Sequence, residues 1–172
     1  MTSDGSEHVA AALEGLFADR PAVVHDTIVL EQHFGAAPEQ VWAAFESAES
    51  RSRWGVPSAA VMLEFIEADF RVGGRDLARC GPKADPRYRV ETRYLDLVPP
   101  QRLVFSETVD DGARRLSAAL ITVELRLIAT GTALRFTSQV VAFDGADIAS
   151  GVRLGYQAAF GNLAAELAMA AR

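Results

Sequence analysis

A chain of 172 residues, with 49% apolar and 23% charged side chains, has the length and composition to bury one core unaided and is too apolar for a disordered segment. A formal charge of −6 argues against general nucleic-acid binding, which draws its affinity from neutralising phosphates. The single cysteine, Cys80, excludes an internal disulfide and a cysteine-based metal site.

No apolar run approaches the ~20 residues that span a bilayer. Met1-Thr2-Ser3-Asp4-Gly5 lacks the basic start and apolar block of a secretory signal. With an unpaired cysteine, which suits a reducing compartment, the expected location is the cytoplasm. The cations are nearly all arginine, Lys83 being the only lysine, and this points to base composition rather than to a phosphate clamp.

Taken in chain order, residues 7–19 place Val9, Leu13, Leu16 and Phe17 on one side of an amphipathic helix, ended by Arg20-Pro21. Residues 1–22 are expected to form an N-terminal extension, and residues 23–172 one domain. Thr27 to Phe34 alternates as a first strand. Pro38 suits a first helical turn, and Val41, Trp42 and Phe45 form the apolar stripe of a short helix. A second short helix is expected over Glu49 to Trp54, before Gly55-Val56-Pro57.

Strands then dominate: Val61 to Phe70, Arg75 to Cys80, Arg87 to Leu97, Arg102 to Val109, Leu120 to Ile128 and Thr132 to Phe143. Gly73-Gly74, Pro99-Pro100, Asp110-Asp111-Gly112 and Ala129-Thr130-Gly131 are the turns between them. Asp144-Gly145 opens a final helix with Ile148, Val152, Tyr156, Phe160, Leu163 and Leu167 on its apolar face. The fold class is α+β: a curved antiparallel sheet of six to seven strands, with two short helices after the first, wrapped around a long C-terminal helix.

Four pieces carry a family resemblance: Phe34 through Trp42 (F-G-A-A-P-E-Q-V-W), Asp69 through Arg75 (D-F-R-V-G-G-R), Tyr94 through Phe105, and Asp144-Gly145 with Arg153-x-Gly155. Together they resemble the START-like (SRPBCC, helix-grip) superfamily, and within it bacterial proteins related to the activator of the heat-shock-protein ATPase. The resemblance runs from about residue 25 to 168 and implies a cavity between sheet and C-terminal helix. The chain also departs from such proteins. Trp54 is followed by Gly55 where relatives often have a second tryptophan. Asp76, Ala78 and Cys80 stand where relatives often have large aromatics, and Tyr156 where many have tryptophan. If those positions line the cavity, its walls are smaller and more polar.

Strand alternation and the resemblance together nominate Gln32, Trp54, Asp76, Cys80, Phe105, Glu107, Phe136, Tyr156 and Phe160 as ligand-lining residues. Asp76 and Glu107 are the candidate acids or bases, because an apolar setting disfavours a charged carboxylate. Ion pairing with Arg71, Arg75, Arg79, Arg87, Arg89 or Arg93 is the structural alternative. His8, His25 and His33 have no metal-site spacing, so no metal ligand set is expected, and no cofactor is implied. There is no G-x-S-x-G elbow for a hydrolytic serine. Cys80 reads as a small buried hydrophobe.

The resulting expectation is a domain that binds a hydrophobic or amphipathic small molecule. The alternatives are a cyclase-like or hydrolase-like enzyme using a cavity carboxylate, and a co-chaperone-like module that binds a protein partner. A homodimer is compatible with the sequence and not required by it.

Overall fold

A computed structural model of the chain describes residues 23–143 and 148–170. The helix expected at residues 7–19 and the Asp144-Gly145 start of the last helix lie outside the described residues. Seven strands form one antiparallel sheet: β1 (Val24–Phe34), β2 (Val61–Glu67), β3 (Arg75–Pro82), β4 (Tyr88–Val98), β5 (Arg102–Asp110), β6 (Arg115–Ile128) and β7 (Gly131–Ala142). Their order across the sheet is β1-β7-β6-β5-β4-β3-β2, so β1 and β2 are the two edges. The helices α1 (Pro38–Glu46) and α2 (Ala48–Trp54) make the connection between those edges, and α3 (Ile148–Ala170) packs on the inner face. This is the α+β helix-grip architecture.

The crossover helices start where side chains can satisfy free backbone groups. Pro38 opens α1, and the Gln40 side chain accepts the N–H of Ala37 at 3.0 Å. Ser47 caps α2 by accepting the N–H of Ser50 at 3.1 Å. The indole N–H of Trp54 donates to the carbonyl of Ala44 at 3.2 Å, which folds α2 back on α1. Trp42, expected in the core, is buried and meets Phe70 edge-on at 5.9 Å.

Strand parity sorts the side chains. On β7 every second residue from Thr132 to Ala142 is buried, and Ile121, Val123 and Leu125 of β6 join them against Ala159, Phe160 and Leu163 of α3. Toward β3 and β4 the inner residues Cys80, Tyr88, Val90 and Thr92 are only partly buried. The sheet is therefore packed solid along β1-β7-β6 and stands away from its helix along β5-β4-β3-β2.

Three strands differ from expectation by three residues or more, and β1 is the first, starting at Val24 rather than Thr27. β2 ends at Glu67 rather than Phe70, because Phe70 turns inward to meet Tyr94 edge-on with ring centroids 4.7 Å apart. β6 begins at Arg115 rather than Leu120. Its first turn of the ladder is built from Ser117, Ala118 and Ala119, small residues whose pairing with β5 and β7 decides the matter. At the Gly73-Gly74 turn, Gly73 has φ +80°, and a Cβ on Gly74 would lie 2.1 Å from the carbonyl oxygen of Asp69.

Candidate functional site

Where the sheet leaves α3, it encloses a cavity of about 460 Å³, a size within the usual range of small-molecule sites. β2 contributes Val61, Leu63 and Phe65; β3 contributes Asp76, Ala78 and Cys80; β4 contributes Tyr88, Val90, Thr92 and Tyr94; β5 contributes Leu103, Phe105 and Glu107. The opposite wall is Phe45, Arg51 and Trp54 from the short helices with Val152, Gly155, Tyr156 and Ala159 from α3. Most of this surface is apolar or aromatic, and the ionised side chains fall into two groups.

The first group closes one end. Nη1 of Arg51 donates to Oδ2 of Asp76 and, at 2.7 Å, to the hydroxyl of Tyr94, which in turn donates to the same carboxylate. Oδ1 of Asp76 accepts the backbone N–H of Asp69 at 2.8 Å. The Arg51 guanidinium lies over the Phe65 ring, 4.4 Å from its centroid. Asp76 is thus buried with three donors directed at it, and its charge is offset by Arg51. Burial pushes the Tyr94 hydroxyl far above its usual pKa, a rise that the charge of Arg51 opposes. Nε and Nη2 of Arg51 are buried without a partner among the described residues.

The second group is Glu107. Its neighbours across the sheet are Thr92 on β4 and Ala119 on β6, neither of them charged. The hydroxyl of Tyr156 donates to Oε2 at 3.2 Å, and Oε1 has no partner among the described residues. Burial pushes the pKa of Glu107 up to about 6, with the Tyr156 bond opposing the rise. Tyr156 is itself raised well above its usual value, by burial first and then by the charge of Glu107. Burial, and then the same charge, push the Cys80 thiol up to about 11, so it stays neutral.

Of the nine nominated residues, Trp54, Asp76, Cys80, Phe105, Glu107 and Tyr156 meet around this cavity. Gln32, Phe136 and Phe160 do not line it. Phe136 and Phe160 are 0% and 2% exposed, and pack behind Tyr156 at 4.2 and 5.8 Å between ring centroids. Gln32 sits near the end of β1 and bonds the backbone of His33, on the packed side of the sheet away from the cavity. The expected arginine partners are corrected too. Arg75 and Arg79 pair with Glu67 and Glu64, and Arg93 pairs with Glu91. Asp76 is one residue out of step with Arg75, so the two face opposite sides of the sheet. Arg51, which does hold Asp76, was not nominated by the sequence.

Glu166 fixes the wall formed by α2. It accepts from Ser50 Oγ at 2.8 Å and pairs with Arg53 at 2.8 Å, while Asn162 donates to the carbonyl of Val56 at 2.7 Å. Arg53 holds the pKa of Glu166 below the ordinary carboxylate value, first by its hydrogen bond. Among the described residues no group of His, Cys, Asp and Glu is arranged to hold a metal ion. No helix among them is long and apolar enough to cross a membrane.

Residues 35–168 match the family described as activator of Hsp90 ATPase homolog 1-like protein. The chain belongs to that family. Among solved structures, a Rhizobium loti protein is 38% identical with a TM-score of 0.76, the alignment covering 85% of this chain and 99% of that one. A Rhizobium leguminosarum protein is 29% identical with a TM-score of 0.75, covering 86% and 97%. A Chromobacterium violaceum protein is 27% identical with a TM-score of 0.73, covering 82% and 96%. A search of curated proteins finds no match. Membership in the family accounts for the helix grip and a ligand-binding type of domain, and leaves the ligand to be argued from the cavity.

Proposed function

We propose that the protein binds an amphipathic small molecule in the cavity between the β5-β4-β3-β2 half of the sheet and α3. The observation that carries this reading is the cavity of about 460 Å³, aromatic and aliphatic over most of its wall yet holding the carboxylate of Glu107. An apolar body would gain by leaving water, on the order of 25 cal/mol per Å² buried. A polar end would be oriented by Glu107, Thr92 and Tyr156. The test is native mass spectrometry of gently purified protein. A discrete extra mass, lost on denaturation, supports the reading, and an Ala78→Phe variant that loses that mass assigns it to the cavity. Retention of the mass by Ala78→Phe would count against the cavity.

A second reading follows from Glu107 alone. With its pKa raised to about 6 and an oxygen open to the cavity, it is suited to take a proton from a bound substrate near neutral pH. Asp76 is less suited, because its oxygens are already accepting three hydrogen bonds. Turnover of a candidate substrate that survives Glu107→Gln would remove this reading.

A further inference from the structure

The ionised groups on the cavity wall do not balance. Arg51 and Asp76 form an ion pair with Tyr94 as its third member, so that end carries no net charge. Among the described residues Glu107 makes no ion pair: Arg51, which lines the same cavity, is held by Asp76, and Arg153, one turn before Tyr156 on α3, does not line it. The cross-strand neighbours of Glu107 are Thr92 and Ala119, and the helix opposite supplies Val152, Gly155, Tyr156 and Ala159. β3 supplies Asp76, in register beyond Thr92, and Cys80, whose thiol feels the Glu107 charge. An isolated carboxylate in an apolar cavity is costly, and above the pH at which it takes up a proton that cost is recovered when a donor or a positive charge comes to it. Tyr156 satisfies one oxygen, and the other is open. Around it stand aromatic rings, among them Phe105 two residues along the same face and Tyr156 itself, whose faces attract cations.

We propose that this cavity selects ligands whose polar end is a positively charged nitrogen, which Glu107 receives on its open oxygen while the aromatic walls surround the charge. The inference rests on the binding function proposed above and adds the chemical class of the ligand. An alkylammonium or a protonated cyclic amine attached to an apolar body fits the description. A carboxylate-headed lipid does not, since its charge repeats that of Glu107. The Arg51 end, its charge already offset by Asp76, then lies at the far end of the ligand, so the ligand has a defined direction in the cavity.

The experiment is titration calorimetry with three probes of one chain length: octylamine, 1-octanol and octanoate. Near pH 8 a primary amine is charged, its pKa being about 10.4 by comparison with lysine. Octylamine is expected to bind wild-type protein about ten-fold or more tighter than octanol, with octanoate weakest. In Glu107→Gln the amine should fall to the level of the alcohol. Wild-type protein supplies an independent reading: near pH 5, where Glu107 takes up a proton, the advantage of the amine should collapse. Equal affinity for amine and alcohol in wild-type protein, or an amine preference that persists in Glu107→Gln and near pH 5, overturns the assignment of the head group while leaving the cavity as a binding site. Failure of all three probes to bind overturns both.

Discussion

Arg51 on α2 and Asp76 on β3 form an ion pair inside the protein, with side chains 11% and 2% exposed. Through it the crossover helices are tied to the half of the sheet that stands away from α3. Because Asp76 also accepts the N–H of Asp69, the same carboxylate fixes the loop that leads into Gly73-Gly74. Tyr94 completes the knot by accepting from Arg51 and donating to Asp76.

Breaking this pair from one side should be costly. Arg51→Met leaves a buried carboxylate without its counter-charge, and a loss of ~3–5 kcal/mol is expected in urea denaturation. Arg51→Met combined with Asp76→Asn should recover at least half of that. Asparagine carries no charge and can still accept the Asp69 N–H. Additive losses in the double variant would show that the two residues are not energetically coupled.

Glu107 should make stability depend on pH in an unusual direction. Its folded pKa of about 6 lies above the ordinary 4.5, so as pH falls the folded chain takes up this proton before the unfolded chain does. The carboxylate therefore destabilises the fold above about pH 6, and this penalty is gone below 4.5, the ordinary value. Glu107→Gln is expected to be up to ~2 kcal/mol more stable than wild type near neutral pH. The gain should vanish near pH 4.5 in matched urea titrations. A gain of equal size at both pH values would place its origin elsewhere.

Cys80 should be a slow nucleophile. A thiol held at about 11 carries far less thiolate at neutral pH than an ordinary cysteine. Alkylation by iodoacetamide, followed by intact mass, should run about a hundred-fold slower in folded protein than after unfolding. Comparable rates would mean that Cys80 is neither buried nor next to a negative charge in solution.

Ala78 and Ala142 offer a paired test of where the interior is open. Both are buried on the inner face, 3% and 2% exposed, but Ala78 borders the cavity and Ala142 lies in the packed half. Ala142→Leu should cost ~1–3 kcal/mol through overpacking. Ala78→Leu should cost less than that, because its added atoms project into empty volume. Equal losses in thermal denaturation would argue that the cavity closes in solution.

Alternation along β3 and β5 was sufficient to put Asp76, Cys80, Phe105 and Glu107 on one face of the sheet, because side-chain direction in a strand has a fixed period. The same rule put Phe136 inward and could not say more. Whether an inward residue meets a helix or a void depends on where the curved sheet leaves α3, and that is set by packing across the whole chain. Gln32 shows the same limit at a strand end. Arg51 was illegible for a different reason. In the run Ser50-Arg51-Ser52-Arg53 the two arginines share one short polar helix, and nothing in their spacing tells them apart. Only the return of β3 beneath α2 separates Arg51, which is held inside, from Arg53, which pairs with Glu49 and Glu166.

Asp76, Thr92 and Glu107 lie opposite one another on adjacent strands β3, β4 and β5. Strands are spaced by ~4.8 Å, so the backbones of the two residues stand roughly 10 Å apart along a row that hydrogen bonding holds rigid. The row is a ruler laid on the cavity floor. A ligand held at Glu107 would reach the Arg51–Asp76 pair only if its body covered about that span, and a homologous series of alkylamines would then level off at that length rather than gain steadily with each added carbon.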